Sequence, residues 1–135
     1  MMRPSSNTDG TYETKIDGNS LSQRYQSYGL LLWQDSTNFI RLEIQADPAV
    51  KTAAWRVIGG VGSNAIAQQA YTLGASNYLR VAKSGITLYG SPDGVTWTNR
   101  GSVNQPGFTV NQAGLQVGNS TATATTANFD DFKSF

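Results

Sequence analysis

The alternation of apolar and polar residues with a period of two is the feature that most limits what this chain can fold into. In the clearest run, residues 38–45, Ile40, Leu42 and Ile44 alternate with mostly polar neighbours. Because successive side chains of a strand point to opposite faces, this pattern predicts a strand with one core-facing side. Similar short runs bounded by Gly, Asn, Asp and Pro follow along the chain from Tyr12. The sequence therefore predicts an all-β domain.

The chain divides into nine predicted strands, all short and bounded by turn-forming residues. They are residues 12–16, 28–34, 38–45, 52–58, 77–83, 86–90, 95–99, 108–117 and 127–135. Glycine-containing connections at 83–85 and 92–94 favour hairpins, because glycine accepts the positive φ that tight turns need. The best helical candidate, 63–69, is too short to hold an amphipathic pattern. The sequence therefore predicts an antiparallel two-sheet β-sandwich.

The net charge and the missing residue types exclude several classes of function. The 135 residues fit one domain, and ten Lys and Arg against nine Asp and Glu leave a net charge of +1. This balance gives no electrostatic reason to expect nucleic acid or an anionic membrane as a partner. The chain contains no His and no Cys, which excludes His-based triads, thiol catalysis, disulfides and the common zinc sites.

Neutral polar residues dominate the surface chemistry that the sequence predicts. Ser, Thr, Asn and Gln make up 46 of the 135 residues, and charged residues only 14%. This balance favours a secreted or cell-surface bacterial protein, and no uncharged apolar run approaches the roughly 18 residues that span a bilayer. Residues 1–10 are mostly polar after a doubled Met and are interpreted as a linker or a cloning remnant. Residues 11–135 are predicted to form the single β-sandwich domain of a longer exported protein.

Three segments, in their order and spacing, carry a resemblance to a known family. They are Gly-Leu-Leu-Leu-Trp-Gln-Asp at 29–35 with Asn-Phe-Ile-Arg-Leu at 38–42, Tyr-Gly-Ser-Pro-Asp-Gly-Val-Thr-Trp-Thr at 89–98, and Ala-Asn-Phe-Asp-Asp-Phe at 127–132. Together they resemble the concanavalin A-like lectin/glucanase superfamily. The similarity is to the jelly-roll modules that accompany glycoside hydrolases, such as the C-terminal domains of bacterial β-xylosidases. The resemblance implies a curved jelly roll whose concave face often meets carbohydrate.

The resemblance also implies strands that this sequence lacks. Members of the family carry additional strands before the position of Tyr12, where this chain has the predicted linker. Either the sandwich is a reduced version, or an edge strand is open to a partner chain, as in a homo-oligomer, or to a neighbouring domain. The last predicted strand, 127–135, is expected to pair near the first, 12–16, because sandwich termini commonly meet.

Three arginines in the middle of predicted strands suggest a polar sheet face. Arg41, Arg56 and Arg80 each stand between apolar neighbours and are therefore predicted to point away from the core. One interpretation is a cross-strand ladder of ion pairs. The other is a sugar-binding face, on which guanidinium and carboxylate groups bind hydroxyls and aromatic rings cover a pyranose. The candidate ligand-binding residues are Trp33, Arg41, Glu43, Arg56, Tyr78, Arg80, Tyr89 and Trp97.

The tryptophans can be core residues, rim residues or sugar platforms. Trp33 and Trp97 lie next to predicted turns, and all three roles remain open for them. Trp55 precedes Arg56 and is therefore predicted to point inward, into the core. Asp35 and Asn38 flank a predicted hairpin turn and are expected to cap it.

The carboxylate pattern argues against catalysis. The glucanases that the chain resembles carry Glu-x-Asp-x-x-Glu on one strand, and the nearest match is Glu-Ile-Gln-Ala-Asp at 43–47. Strand residues four apart are about 13 Å from each other, beyond the roughly 5.5 Å or 6.5–9.5 Å of catalytic carboxylate pairs. The sequence therefore predicts a non-catalytic carbohydrate-binding module. A ligand-free structural or adhesive spacer is the alternative, and a glycoside hydrolase is the less favoured one.

No cofactor is predicted, with one exception that concerns calcium. Asp130 and Asp131 stand between Phe129 and Phe132, and related jelly rolls bind Ca²⁺ through oxygen ligands from neighbouring strands and loops. A structural Ca²⁺ and a solvated or turn-stabilising Asp pair are both open interpretations.

Overall fold

A computed structural model describes residues 2–4, 11–17, 21, 25–46, 49–74, 76–82, 86–103, 106–118 and 128–134. These residues form eleven strands. They are β1 (Met2–Pro4), β2 (Thr11–Asp17), β3 (Ser27–Asp35), β4 (Asn38–Ala46), β5 (Val50–Ile58), β6 (Val61–Ala70), β7 (Ser76–Ala82), β8 (Thr87–Ser91), β9 (Thr98–Ser102), β10 (Gln112–Gly118) and β11 (Asn128–Ser134). Within the described ranges no helix is long and apolar enough to cross a membrane.

The strands form two antiparallel sheets that pack as a sandwich. The six-stranded sheet has the order β1-β10-β3-β4-β5-β6, and the five-stranded sheet has the order β11-β2-β7-β8-β9. Every paired neighbour runs antiparallel. The predicted all-β, two-sheet sandwich is therefore confirmed.

One hydrophobic core joins the two sheets. On β4, Ile40, Leu42 and Ile44 have no exposed surface, as the alternation in the sequence predicted. They share a single cluster with buried side chains of the five-stranded sheet, among them Leu79 and Val81. Each such side chain contributes about 1.5–3 kcal/mol when it is removed from water. The side of each sheet that points away from this core can therefore hold polar residues.

Arg100 on β9 ties the two sheets together at one edge. Its Nε donates a hydrogen bond to Thr52 Oγ1 at 2.9 Å, and Nη2 donates to the Ala70 carbonyl at 2.6 Å. The guanidinium also lies 5.7 Å from the centre of the Tyr71 ring. Thr52 and Ala70 belong to the six-stranded sheet, so one side chain fixes the distance between the layers here.

The hairpin between β3 and β4 closes with the cap that the sequence predicted. Asp35 Oδ1 accepts hydrogen bonds from the Thr37 backbone N–H at 2.9 Å and from the Asn38 side chain at 3.0 Å. These hydrogen bonds, the Thr37 backbone N–H first, lower the pKa of Asp35 to about 2. Asn38 Oδ1 in turn accepts the Gly59 N–H at 3.1 Å. The tip of the β5–β6 hairpin is thereby held to the tip of the β3–β4 hairpin.

Two strands were not predicted from the sequence. β6 forms the edge of the six-stranded sheet, and most of its side chains are exposed, with Ile66 buried. Its pairing with β5 is interrupted by two register shifts, so the period of two is lost. β1 pairs with β10 although it lies in the segment interpreted as a linker. The remainder of residues 1–10 is outside the described residues, and the predicted domain division stays a prediction.

The pairing predicted for the end of the chain is confirmed. β11 runs antiparallel to β2, with Phe129 opposite Ile16 and Ser134 opposite Tyr12. A register shift between Phe129 and Asp131 marks a bulge in this edge strand. Phe129 packs against the core cluster. β11 therefore forms the edge of the five-stranded sheet, next to β2.

Candidate functional site

The predicted site residues do not share one sheet face. Trp33, Arg41, Glu43 and Arg56 lie on the six-stranded sheet, whereas Tyr78, Arg80 and Tyr89 lie on the five-stranded sheet and Trp97 follows β8. The prediction of a single shared face is therefore wrong. Alternation tells on which side of its own strand a residue lies, but only strand pairing decides in which sheet the strand is placed.

The orientations predicted for Trp55 and Arg56 are also wrong. Trp55 stands opposite Arg41, and Arg56 stands opposite the core residue Ile40. Residues opposite each other in a ladder point to the same side, so Trp55 lies on the outside and Arg56 on the core side. Val57, one of the apolar neighbours on which the prediction for Arg56 rested, is buried although it stands opposite Phe39 and therefore lies on the outer side.

Three rows of side chains cross the side of the six-stranded sheet that points away from the core, which we call the outer face. One row holds Gln112, Trp33, Phe39 and Val57, the next Gly114, Leu31, Arg41 and Trp55, and the third Gln116, Gly29, Glu43 and Ala53. Aromatic, amide and charged groups are thus combined within adjacent rows. This is the mixture of chemistry that sugar hydroxyls and sugar rings require.

A stacked aromatic pair occupies the first row. The Trp33 and Phe39 rings have centroids 5.4 Å apart and an interplanar angle of 23°, and both side chains are half-buried. The pair forms because the two residues are opposite each other on β3 and β4. A third ring, Trp55, lies against Gly62 of β6, where a larger side chain would collide with the indole. The outer face therefore presents ring surface across three neighbouring strands.

Glu43 is the most unusual residue of the outer face, because its side chain is 0% exposed. Its Oε2 accepts a hydrogen bond from Gln116 Nε2 at 2.9 Å, while Oε1 is buried without a hydrogen-bond partner. Burial raises the pKa of Glu43, and the Arg41 charge and the Ser27 and Gln116 side chains offset this in part. Gly29 stands opposite Glu43, and any Cβ on Gly29 would come within 2.8 Å of the Glu43 Cα.

Arg41 lies beside Glu43 but is only loosely paired with it. Its Nε is 3.7 Å from Glu43 Oε2, and the Arg41 side chain is 31% exposed. That nitrogen is buried and has no hydrogen-bond partner. A Cβ on Gly118 would meet Nη1 at 3.6 Å, an ordinary van der Waals contact, so the guanidinium lies close to the end of β10. The Nη edge is therefore the part of Arg41 that can meet a ligand.

The residues on the five-stranded sheet form a closed ion pair covered by an indole. Arg80 donates from Nε and Nη2 to Glu13 Oε2 at 2.9 and 2.7 Å. Its Cζ lies 4.0 Å from the centre of the Trp97 ring, and Tyr78 meets that ring edge-on at 6.3 Å. Tyr89 stands opposite Arg80 on β8. The ion-pair interpretation of the arginines therefore fits Arg80.

A turn built by Asp93 brings Trp97 over Arg80. The Asp93 Oδ1 accepts the backbone N–H groups of Val95 and Thr96, both at 2.8 Å. The Thr96 and Val95 hydrogen bonds, in that order, lower the pKa of the Asp93 carboxyl. Gly94 has a φ of +79° and packs on the Tyr78 ring. The hairpin connection predicted at 92–94 is confirmed, but it continues to Trp97, and β9 begins only at Thr98.

The structure gives no test of the calcium prediction. Asp130 and Asp131 belong to β11, but their side chains are outside the described residues. Among the described residues no group of three or more acidic side chains could hold a metal ion. The structural Ca²⁺ therefore stays a prediction.

No protein-family profile matches this chain. No curated protein matches it either. Solved structures do match. A GH43 protein from Bacillus licheniformis superposes with a TM-score of 0.88 at 16% identity, over 98% of this chain and 28% of that one. A xylan β-1,4-xylosidase from Bacillus halodurans gives 0.79 at 19% identity, over 98% and 28%.

A third match has a length similar to this chain. Chicken galectin 2 superposes with a TM-score of 0.57 at 12% identity, over 93% of this chain and 89% of the galectin. By contrast, the chain spans little more than a quarter of the two Bacillus enzymes. At such low identities these matches show a shared β-sandwich fold, and fold alone does not determine function.

Proposed function

We propose that this chain is a non-catalytic carbohydrate-binding module that binds a glycan on the outer face of the six-stranded sheet. The observation that carries the proposal is the stacked pair of Trp33 and Phe39 in the row next to Arg41. Aromatic rings pack on the apolar side of a pyranose, and a guanidinium donates to adjacent hydroxyls. The amide of Gln112 lies in the row of the aromatic pair and that of Gln116 in the row of Glu43, and both add hydrogen-bonding capacity.

The fold comparisons support this proposal. One match is to part of an enzyme whose name states xylan as its substrate, and another is to a galectin. A module that spans 28% of a GH43 enzyme fits an accessory role beside a catalytic domain. We therefore infer that the chain is an accessory module of a secreted or cell-surface bacterial protein.

The position of Glu43 supports a module without hydrolase activity. Glycoside hydrolysis needs two carboxyl groups about 5.5 Å or about 6.5–9.5 Å apart with a glycosidic bond between them. Glu43 is wholly buried, beside Arg41 and hydrogen-bonded to Gln116. The described rows of the outer face contain no second carboxylate. Glu43 therefore shapes the face and does not attack a ligand.

The test is a screen of immobilised glycans with two matched tryptophan variants. Trp33→Ala removes a ring from the outer face, and Trp97→Ala removes one from the opposite sheet. We expect the Trp33 variant to lose about tenfold in affinity, the effect of one aromatic contact, and the Trp97 variant to bind like the parent protein. A parent protein that binds none of the glycans would refute the proposal and support the ligand-free spacer.

A further inference from the structure

The charge that the outer face offers to a ligand is positive. The charged residues of its three described rows are Arg41 and Glu43. Lys51 lies in the next row along β4 and β5, opposite Gln45. Glu43 is 0% exposed, whereas both cationic side chains are partly exposed. Asp35 lies at the hairpin tip, and its carboxylate already accepts hydrogen bonds from Thr37, Asn38 and Gln34.

Among the described residues, Arg41 and Arg80 each lie near a glutamate, but they differ in the hydrogen bonds that they make to it. Arg80 makes two short hydrogen bonds to Glu13 and is covered by Trp97. By contrast, Arg41 Nε is 3.7 Å from Glu43 Oε2 and makes no hydrogen bond to it. Charge-assisted hydrogen bonds to a carboxylate are about twice as strong as neutral ones. Arg41 can still donate such bonds to the carboxylate of a ligand.

We propose, resting on the proposed function above, that the glycan is acidic and that Arg41 binds the carboxylate of a uronic acid residue. Same-face positions on a strand are about 6.6 Å apart, so a sugar ring on Phe39 and Trp33 places a carboxylate within reach of Arg41. Lys51, further along the neighbouring strand, adds a second cation toward the next acidic sugar of a polymer.

The attraction is local and not a property of the whole chain. A net charge of +1 gives no general affinity for polyanions. The specificity therefore comes from the Nη edge of Arg41, in the row next to the stacked rings. Binding of a carboxylate there survives physiological salt better than exposed long-range attraction does, because partly buried pairs are less screened.

The experiment compares each acidic polysaccharide with its own neutral form. Polygalacturonic acid and glucuronoxylan are used before and after chemical reduction of their carboxyl groups to alcohols, in 0.15 M NaCl. We expect reduction to weaken binding by about tenfold or more, the loss of one charge-assisted hydrogen bond. Arg41→Met should produce the same loss on the acidic polymers and little change on the reduced ones. Lys15→Ala, which removes one positive charge from the five-stranded sheet, is the matched control.

Each remaining outcome overturns a distinct statement. Equal binding of the acidic and reduced polymers would overturn the acidic specificity and leave the proposed function intact. Binding of neither form, and of no neutral glycan, would overturn both. Undiminished binding of acidic polymers and of dextran sulfate by Arg41→Met would mean general polyanion attraction and overturn the role of Arg41. If that variant does not melt cooperatively, the comparison of polymers with the parent protein still decides the specificity.

Discussion

Replacing Glu43 by Gln tests the electrostatics of the outer face without changing its shape. The carboxyl has no exposed surface, one of its oxygens lacks a partner, and burial raises its pKa above the usual 4.5. The charged groups around it are Arg41 on its own strand and Lys51 on β5, while β3 and β10 place only uncharged Ser27, Gly29 and Gln116 beside it.

The raised pKa fixes the direction of the pH dependence. Between the unfolded pKa and the higher folded pKa, the folded protein holds a proton on Glu43 that the unfolded chain has lost. The unfolding free energy of the parent protein therefore falls as pH rises through this window and levels off above it. Glu43→Gln removes the titrating group, so the variant lacks this decline.

The magnitude follows from the cost of ionising a buried group that is only partly compensated. An unsatisfied buried polar atom lowers the unfolding free energy by about 1–3 kcal/mol, and the attraction between Arg41 and Glu43 offsets part of this loss. We expect Glu43→Gln to be more stable than the parent protein by about 1–2 kcal/mol at pH 8, which corresponds to about 4–7 °C in Tm for a chain of this length. Near pH 4 the difference should shrink toward zero.

The assay is urea unfolding from pH 4 to pH 9, followed by tryptophan fluorescence. Glu13→Gln is the matched control, because it removes the only other Glu of the chain from the Arg80 ion pair and should not raise stability. A Glu43→Gln protein that is less stable than the parent at pH 8, with the pH slope unchanged, would refute the reasoning.

Three further changes probe the fold. Gly29→Ala should cost about 1–3 kcal/mol, because its Cβ would overlap a backbone carbonyl of β4, whereas Gly90→Ala meets only ordinary contacts and should cost less in the same urea assay. Arg100→Met should lower the unfolding free energy by about 2 kcal/mol, because Thr52 and the carbonyls of the β6 edge lose their donor. Removal of residues 128–134 should abolish the sharp calorimetric transition, because this strand closes β2. A cooperative melt at an unchanged temperature would contradict that role.

The sequence predicted correctly those features that depend only on residues close together in the chain. The alternation around Ile40 and Leu42 gave a strand with the right buried side, and the short-range geometry of Asp35 and Asn38 gave the right turn cap. Both depend on residues within a few positions of each other, so no knowledge of distant pairing is needed.

Long-range pairing is what the sequence could not supply. Arg41 and Arg80 follow the same local pattern, yet one lies on each sheet, because strand order is decided by the packing of whole layers. Trp55 was predicted to point inward because its neighbour Arg56 was predicted to point outward, whereas strand pairing places Arg56 opposite the core residue Ile40. The open guanidinium of Arg41 depends on distances between strands that no spacing in the chain encodes.

The most direct test of the central claim is a titration of the ¹⁵N-labelled protein with the tightest glycan of the screen, observed at the three tryptophan indole N–H signals. Trp33 belongs to the stacked aromatic pair and Trp55 stands opposite Arg41, both on the outer face, whereas Trp97 covers Arg80 on the opposite sheet. Binding on the outer face predicts that the Trp33 and Trp55 signals shift in proportion to saturation while Trp97 stays in place. A titration that shifts Trp97 and leaves Trp33 unmoved would contradict it.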